Sequence, residues 1–592
     1  MPLPLPVTRQ LRSPTHQPLL VAAALFFLFG LAAGKVGDWD LFWQLQSGKQ
    51  MVAQQALLTT DTFSLAAESP RIEHCWLHDL IVYGVYALGG YVALSLWKGA
   101  LVAGTALLLG LAARARGAGT VAILSVGLPA VLITHGAWVE RPQLWSFLLF
   151  ALFLWLLERF AGGERRVVWL LVPAMLLWAN LHAAAILAAP LLLAYLVGEW
   201  AGGRPFRSET PGVGRGRLLL LVAALVALAG LITPYGPYLV KTLLAAPSLG
   251  DASGKLTQLY NVDWRSTSFA RNPSFYYAMM IAAGIMLCGW QRIRLTDLLL
   301  LGGLALMGLR LERHTPFLLL GMAAILPVYL ESWLSACRSH LSSFWAGAVR
   351  LLIGVSLVAL TLWLARDLYQ RNGFFDTGLV AMDLPVEAAD YVRENRLPGN
   401  LFNSYDWGGY LMWALYPDYR VFWDGRHSSE ELFRQGLRVM WEPDWEQVLD
   451  RFAVNTVVLK ALSIDVGGTY PLHENLRSSP GWALVHADAV AMVFARRTAM
   501  PESWLVSNEL PKERMDDTLL SQARYFTTRY PWRYKAWWVQ AQVLLRRGNP
   551  EGAYRSLQQY LAHTPPDKRD PQASASYQAL ARRLNTTARP QQ

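Results

Sequence analysis

Long apolar runs recur along the chain and constrain its fold more than any other sequence feature. Two of them, Leu219 to Ile232 and Leu351 to Leu364, approach the length of about 20 residues that a helix needs to cross a bilayer. The 592 residues are 54% hydrophobic and only 16% charged, which is too little charge to cover a soluble protein of this length. We therefore predict an α-helical polytopic membrane protein over the alternative, a soluble protein with many buried helices.

The apolar runs predict about eleven membrane spans. The first span follows Arg9, Arg12 and His16, and it is longer than a usual signal-peptide core, so an uncleaved anchor is favoured over a signal peptide. The predicted spans are approximately 18–34, 91–113, 118–134, 143–158, 167–179, 183–199, 218–233, 274–290, 296–309, 316–334 and 345–365.

Arginines are concentrated in every second loop between these spans. Because cytoplasmic loops carry an excess of Lys and Arg, these loops are assigned to the inside, the N-terminus with them, and the C-terminal region to the outside. This distribution accounts for the net charge of +11 without a nucleic-acid partner. The basic loops contain Arg114 and Arg116; Arg159, Arg165 and Arg166; Arg204, Arg207, Arg215 and Arg217; Arg292 and Arg294; and Arg338.

The opposite set of loops carries acids, histidines and further arginines. Ionisable groups near the bilayer are costly, so their grouping on one side favours a functional interpretation over solvated loop residues. The candidates are Asp61, His74 and Asp79 in a long first outer loop, 35–90, then Arg141, His182, Arg310, Arg313 and His314.

Three domains are predicted: a transmembrane domain, 1–366, an extracytoplasmic α/β domain, 367–500, and a helical segment with a tail, 501–592. In the α/β domain, Pro385 to Asn395 is expected to form a helix. Strands are expected at Tyr419–Trp423, Val454–Lys460, Trp482–His486 and Ala491–Ala495. The last segment has paired helices around Gly548-Asn549-Pro550, a pattern that resembles one or two tetratricopeptide repeats (TPR).

Two aspartates, Asp38 and Asp40, follow the first predicted span and lie among aromatic residues that suit the membrane interface. Two acids at this spacing can bind a divalent cation together with phosphate oxygens, or one of them can act as a general base toward a hydroxyl. Both uses remain open on the residues alone.

A second polar segment, Asn403 to Tyr410, is followed by Trp423-Asp424-Gly425-Arg426. Asp406, Asp424 and Arg426 are placed where they could touch an acceptor. The alternative is a structural Asp–Arg pair that orders two turns, and it is slightly favoured. No nucleophile elbow, P-loop, dinucleotide fingerprint or CxxC cluster is present in the sequence.

The chain resembles the GT-C superfamily of polyprenyl-phosphate-sugar-dependent membrane glycosyltransferases. The shared features are a cytoplasmic N-terminus, a many-span helical core, an acidic motif in a long first outer loop and an outward C-terminal domain. More closely, it resembles bacterial polytopic members with matching segments at Asp38–Gly48, Thr60–Ser64, Trp76–Asp79, Arg141–Gln143, Trp178–His182, Thr233–Gly236, Arg313–Pro316 and Asn403–Arg426.

This resemblance implies sugar transfer from a polyprenyl-phosphate donor to a lipid, glycan or protein acceptor at the outer face of the bacterial inner membrane. Asp38 or Asp40 would be catalytic, with Asp61, His74 and Asp79 supporting the first loop. Donor phosphate or acceptor would be bound by Arg141, His182, Arg310, Arg313, His314, Asp406, Asp424 and Arg426. A divalent cation, Mg or Mn, is permitted at Asp38 and Asp40 but not required.

Two other classes of function are weighed against the enzyme. A non-catalytic membrane scaffold would use the TPR-like segment to bind a protein partner in envelope assembly. A transporter would need ionisable residues near the middle of the bilayer. It ranks last, because the predicted spans are nearly free of such residues.

Overall fold

The structure is a computed structural model, and it describes residues 16–65, 73–200, 213–236, 265–288, 293–340, 343–426, 429–463, 465–530 and 532–587. The chain divides into two compact units. The first, called the helical unit, comprises Met1–Val36 and His74–Gly378. The second, called the mixed unit, comprises Gly37–Glu73 and Leu379–Gln592. The predicted domain boundaries at 366 and 500 stay predictions.

The secondary structure of the described residues is predominantly helical. In chain order the α-helices are α1 (His16–Ala32), α2 (Trp39–Gln54), α3 (Trp76–Ala115), α4 (Thr120–Ile133), α5 (Gln143–Ala161), α6 (Leu171–Leu181), α7 (Ala188–Trp200), α8 (Val213–Ala229), α9 (Pro273–Cys288), α10 (Leu295–Arg310), α11 (Thr315–His340), α12 (Ser343–Asn372), α13 (Val386–Glu394), α14 (Gly408–Leu415), α15 (Glu430–Trp441), α16 (Trp445–Arg451), α17 (Pro471–Ser478), α18 (Glu502–Asn508), α19 (Met515–Arg529), α20 (Lys535–Arg546), α21 (Pro550–His563) and α22 (Pro571–Thr587). The strands are β1 (Leu401–Asn403), β2 (Thr456–Lys460), β3 (Trp482–Ala487) and β4 (Ala491–Arg496). Short 3₁₀ helices lie at Thr134–Ala137, Arg165–Leu170, Ala183–Leu187, Glu312–His314, Ala381–Asp383, Tyr405–Trp407, Arg497–Ala499, Lys512–Arg514 and Pro566–Lys568.

The helical unit contains the membrane-spanning helices. Within the described residues, five helical segments are long and apolar enough to cross a bilayer: Trp76–Ala115, Thr120–Ala137, Gln143–Ala161, Ala183–Trp200 and Glu312–Trp333. Shorter apolar helices lie at Gln17–Ala32 and Pro273–Leu287. The membrane class is therefore confirmed, while the count of about eleven spans stays a prediction.

Helix α3 begins at Trp76, well inside the segment 35–90 that was expected to be a loop. Its helical geometry breaks at Gly89 and Gly90, and the φ angle of Gly90 is +61°. A residue with a side chain rarely adopts that backbone conformation, so the glycine pair makes the break possible. The predicted span start at 91 corresponds to this break rather than to the start of the helix.

A cluster of four charges lies between α5, α10 and the loop after α3, and the sequence analysis missed it. Arg116 contacts Glu158 at 2.9 Å and Asp297 at 2.6 Å, and Arg294 contacts the same two acids at 2.6 and 3.0 Å. Tyr329 donates a further hydrogen bond to Asp297 at 2.5 Å. Glu158 and Asp297 lie at the ends of the predicted spans 143–158 and 296–309, so the expectation that the spans carry few ionisable groups near their middle stays a prediction. The four charges sum to zero, which limits the cost of their burial.

The mixed unit contains a sheet in the order β1-β2-β4-β3, with β1 parallel to β2 and the other pairs antiparallel. Strands β2, β3 and β4 confirm three predicted strands. The predicted strand at Tyr419–Trp423 is wrong: only an isolated bridge joins Val421 to Ser64. The side chain of Asn403 accepts the N–H of Phe422 at 2.9 Å, so a side-chain bond replaces the regular ladder there.

The C-terminal helices confirm the predicted turn between α20 and α21. Gly548 has a φ angle of +70°, and the side chain of Asn549 accepts the N–H of Gly552 at 2.8 Å. Pro550 occupies the first turn of α21, where the missing N–H is no loss. The identity of this segment as a TPR-like repeat stays a prediction.

Candidate functional site

The predicted site residues fall into two groups, one in each unit. The mixed unit holds Asp38, Asp40, Asp61, Asp406, Asp424 and Arg426, and the helical unit holds His74, Asp79, Arg141, His182, Arg310, Arg313 and His314.

Asp38 is the N-cap of α2. Its backbone is extended, and its Oδ1 accepts the N–H of Asp40 at 3.0 Å. An aspartate in this position satisfies a helical N–H that would otherwise lack a partner. One oxygen of Asp38 therefore serves the helix, whereas Asp40 extends from its first turn as a half-buried carboxylate.

The glycines of the second motif allow close packing around this helix start. A Cβ on Gly409 would come within 2.6 Å of the carbonyl oxygen of Trp39. A Cβ on Gly408 would come within 2.3 Å of the carbonyl oxygen of Trp423. Both neighbours are backbone atoms that cannot move aside, so Gly408-Gly409 lets α14 pack against α2 and the segment after Trp423.

The carboxylate of Asp40 lies beside Gly425, where an added Cβ would be 2.7 Å from its Oδ1. Burial raises the pKa of the nearby Tyr405, and the carboxylates of Asp424 and Asp40 raise it further. The tyrosine therefore remains protonated and can donate a hydrogen bond. Asp40 thus lies beside the backbone of Gly425 and close enough to the neutral phenol of Tyr405 to act on it electrostatically.

Asp61, Asp424 and Arg426 form a buried triad. The guanidinium of Arg426 binds both carboxylate oxygens of Asp424 at 2.6 Å and Oδ1 of Asp61 at 3.2 Å. Asp61 also accepts the N–H of Phe63 and the hydroxyl of Ser64. Burial alone would lower the pKa of Arg426, but Asp424 and Asp61 raise it, so the arginine stays charged. This geometry corresponds to the structural Asp–Arg pair, which is the alternative to acceptor binding that the sequence left open for Asp424 and Arg426.

Asp406 pairs instead with Lys460, at 3.5 Å. The ammonium of Lys460 also lies 4.7 Å from the ring centroid of Trp39. Burial raises the pKa of Asp406 and lowers the pKa of Lys460, although each partner opposes the shift of the other. The contacts of Lys460 with Asp406 and Trp39 anchor the start of α2 to β2.

In the helical unit, His182 occupies the junction between α6 and the following 3₁₀ turn. Its Nδ1 lies 2.7 Å from the hydroxyl of Ser146, and that hydroxyl accepts the indole N–H of Trp178 at 2.8 Å. Four cationic or basic side chains act on His182 electrostatically: Arg313, His74, His78 and His314. These five residues are called the histidine cluster.

An open apolar hollow of about 560 Å³ lies in the helical unit, and two of its lining residues, Trp76 and Leu77, come between His74 and His78 in the sequence. Its polar lining residues include Asn180, whose Oδ1 accepts the indole N–H of Trp76 at 3.1 Å. His74 precedes Trp76 by two residues and His182 follows Asn180 by two. The hollow, called the Trp76 hollow, is lined by Trp76, Leu77, Pro173, Leu176, Leu177, Asn180, Ile232, Thr233 and Pro234.

The remaining predicted residues of the helical unit have varied surroundings. Arg141 is half-buried, and its carbonyl accepts the N–H of Leu144 at the start of α5. Asp79 is fully buried in the first turn of α3. Arg310 is exposed at the end of α10.

Asp38 and Asp40 fit a divalent cation only in part. Six or more oxygen ligands are usual for Mg²⁺ and Ca²⁺, and one oxygen of Asp38 already serves the helix. Phosphate or water oxygens would have to complete such a site. Within the described residues, three metal-ligand side chains come close together at Glu387, His486 and Asp488 instead.

The chain is similar in fold to solved membrane transferases. The archaeal oligosaccharyltransferase AglB from Archaeoglobus fulgidus, solved with an inhibitory peptide and a dolichol-phosphate, is 9% identical with a TM-score of 0.54, over 94% of this chain and 87% of AglB. An Archaeoglobus fulgidus oligosaccharyltransferase in the apo form is 12% identical with a TM-score of 0.52, over 76% of this chain and 70% of that one. The fold is GT-C-like. The arabinofuranosyltransferase AftD from Mycobacteria is 17% identical with a TM-score of 0.51, over 81% of this chain and 40% of AftD.

No protein-family model matches the sequence, and comparison with curated proteins finds no match. At the identities above, the likeness shows the GT-C-like fold and not the reaction.

The sequence did not predict Lys460, Tyr405 and Ser146 as site residues. Lys460 ends a buried strand and was interpreted as part of it, Tyr405 was read only as a member of the second motif, and Ser146 lies within an apolar run. A lysine at the end of an apolar strand is a detectable signal, because such a side chain is rarely buried without a partner. Ser146 offers no comparable signal.

Proposed function

We propose that this protein is a membrane glycosyltransferase of the GT-C type. It moves a sugar from a polyprenyl-phosphate-linked donor to a lipid, glycan or protein acceptor at the outer face of the bacterial inner membrane. The proposal includes about eleven spans, a cytoplasmic N-terminus and an extracytoplasmic C-terminal region with a TPR-like segment.

The observation that carries the proposal is the Trp76 hollow beside the histidine cluster. An apolar hollow in a membrane-spanning unit suits a prenyl chain, and a group of Arg and His side chains suits the phosphate that ends it. AglB, whose fold is similar, was solved with a dolichol-phosphate. We assign the lipid phosphate to Arg313 and His182, with His74 and His314 beside them.

Asp40 is proposed as the general base. It takes the proton of the acceptor hydroxyl while the acceptor oxygen forms a bond to the anomeric carbon of the sugar. The bond between that carbon and the phosphate oxygen breaks, and the lipid phosphate leaves with the bonding electrons. Arg313 would stabilise the negative charge on the leaving phosphate. Asp38 is proposed to position Asp40 by capping α2.

A divalent cation is an optional partner of Asp38 and Asp40 in this scheme, and it would contribute charge stabilisation at the departing phosphate. Arg141, Arg310 and Asp79 are retained as supporting positions for the donor and the first loop. Asp61, Asp424 and Arg426 are proposed to hold the acceptor side of the mixed unit in shape.

Binding of undecaprenyl phosphate to the purified full-length protein tests the donor assignment. Native mass spectrometry of a lipid titration is expected to give a saturable one-to-one complex. Arg313→Gln should weaken it roughly tenfold or more, because one hydrogen bond to a charged group contributes about 1.5–3 kcal/mol. Arg159→Gln is the matched control, since Arg159 pairs with the exposed Glu164. Absence of a wild-type complex, or equal affinity for the Arg313→Gln protein, would overturn the assignment.

A further inference from the structure

A second apolar cavity lies in the helical unit, enclosed by α1, α3 and α4, with Ala323 of α11 at its side. Its volume is about 110 Å³. Its lining runs from Ala106 to Arg114 on α3, which at 1.5 Å per residue is about 12 Å of helix. This cavity is called the α1–α4 groove. No residue that lines the α1–α4 groove also lines the Trp76 hollow.

The two ends of the groove differ in chemistry. Its walls are aliphatic side chains and small residues, among them Gly110 and Gly127, which leave room between the helices. One end carries Arg114 and Thr120, the only polar residues of the lining. The groove is therefore a narrow apolar channel with a cationic end.

Arg114 has capacity for an anion. Its Nη1 donates to the hydroxyl of Thr120 at 3.3 Å, and that hydroxyl donates to Oε1 of Gln17 at 3.1 Å. Glu331, the acid in this corner, accepts the N–H of Gly119 at 2.5 Å. Among the described residues, the Arg114 guanidinium thus has a neutral hydroxyl as its side-chain partner. A guanidinium with free N–H groups at a membrane interface matches the phosphate of a lipid.

We propose that the α1–α4 groove binds an anionic glycerophospholipid, with one acyl chain between the helices and its phosphate on Arg114 and Thr120. An apolar cavity stays dry and is filled by apolar groups. The small volume over about 12 Å favours an unbranched acyl chain over a methyl-branched prenyl chain. Arg114 lies in the last turn of α3, at the end of the helix that is predicted to be cytoplasmic, so the bound lipid belongs to the leaflet opposite the proposed donor. The bound lipid holds α1 against α3 and α4, and the groove takes no part in sugar transfer.

Photolabelling of the full-length protein in vesicles tests the proposal. The probes are phosphatidylglycerol with a diazirine in one acyl chain, and phosphatidylcholine with the same chain. Phosphatidylglycerol is expected to label peptides that contain 106–131 about fivefold more strongly than phosphatidylcholine, the factor expected for one arginine at an anionic lipid. Equal labelling by the two lipids would overturn the proposal. So would displacement of the phosphatidylglycerol label by an equal amount of undecaprenyl phosphate.

Two variants separate the polar and apolar parts of the groove. Arg114→Gln should remove the preference for phosphatidylglycerol, and because Arg114 is exposed the variant should fold. Gly127→Leu should fill the groove and remove the label itself, since a Cβ there has its nearest neighbours at 3.8 and 4.0 Å. Gly284→Leu is the matched control, because a Cβ at Gly284 meets no atom within 4 Å. If labelling in both groove variants equals that of the wild type and the control, the groove is not the lipid site.

Discussion

Asp38 and Asp40 are two residues apart but have different structural duties. Asp38 caps α2 through its Oδ1, whereas the carboxylate of Asp40 lies beside the exposed Gly425. Asparagine can replace aspartate as an N-cap, so the charge of Asp38 is dispensable for the helix. Asp40 is not the cap of α2, so its proposed role depends on its charge and not on helix capping. The two aspartates can therefore be told apart by experiment.

Gly425→Ala disturbs Asp40 without removing it. The added methyl group would come 2.7 Å from Oδ1 of Asp40, so the carboxylate must move. We expect sugar transfer to fall by roughly 10²-fold, as for other misplaced catalytic groups, with little change in the unfolding temperature. Gly399→Ala is the control, since a Cβ at Gly399 meets no atom within 4 Å. Wild-type rates for Gly425→Ala would contradict the role of Asp40.

His473 makes the stability of the mixed unit depend on pH. Burial lowers the pKa of His473 from 6.5 to about 4, although its hydrogen bonds with the backbone of Tyr470 and Lys460 act to raise it. The folded state therefore favours the neutral ring. As pH falls from 6.5 toward 4, the unfolded chain binds the proton first, and folding free energy is lost, on the order of 3 kcal/mol in total.

Thermal unfolding of the full-length protein between pH 7 and pH 4 measures this loss. The wild type should lose more stability over that interval than His473→Gln, which carries no titrating ring. His563→Gln replaces an exposed histidine and should follow the wild type. Parallel pH curves for the wild type and His473→Gln would contradict the assignment.

At the scale of elements, the mixed unit depends on segments that are distant in sequence. The loop after α2 supplies Asp61, and the turn before α15 supplies Asp424 and Arg426. The side chains of all three are at most 6% exposed. A buried charge is stable only while its partners remain, so the triad joins the two segments.

Arg426→Gln should therefore destabilise the mixed unit by about 3–5 kcal/mol, because it leaves two buried carboxylates without their cation. The shift in unfolding temperature measures the effect. Arg434→Gln breaks an exposed pair with Glu430 and should cost about 1 kcal/mol or less. Similar shifts for the two variants would show that the triad does not stabilise the unit.

The same elements show how far the sequence could predict the structure. Apolar runs predicted β2, β3 and β4, because each of them is buried over most of its length. β1 has three residues, too few for any pattern, and it was missed. The segment around Val421 has the composition of a strand, but the side chain of Asn403 accepts the N–H of Phe422. That contact joins positions about twenty residues apart, which periodicity cannot detect.

At the scale of the whole molecule, the membrane class followed from the apolar runs, and the GT-C-like fold was expected from the resemblance to that superfamily. The charge cluster of Arg116, Glu158, Arg294 and Asp297 did not follow, because its members come from four predicted segments, two loops and two spans. Asp38 and Asp40 were found as a sequence motif, and four members of the histidine cluster were separate candidates: His74, His182, Arg313 and His314. His78 was not among the predicted site residues. The contacts of these residues, such as Ser146 with His182, arise only from helix packing.

Sugar transfer by the purified protein in proteoliposomes tests the central claim most directly. The donors are undecaprenyl-phosphate-linked radiolabelled sugars, and the acceptors are native envelope extracts. The wild type is expected to transfer at least one sugar, Asp40→Asn to lose activity by about 10²–10⁴-fold while remaining folded, and Asp38→Asn to keep most of it. If the wild type transfers none of the sugars, or Asp40→Asn transfers at the wild-type rate, the protein is not the enzyme proposed. In that case, binding of a partner protein that depended on residues 516–584 and not on the two aspartates would favour the scaffold.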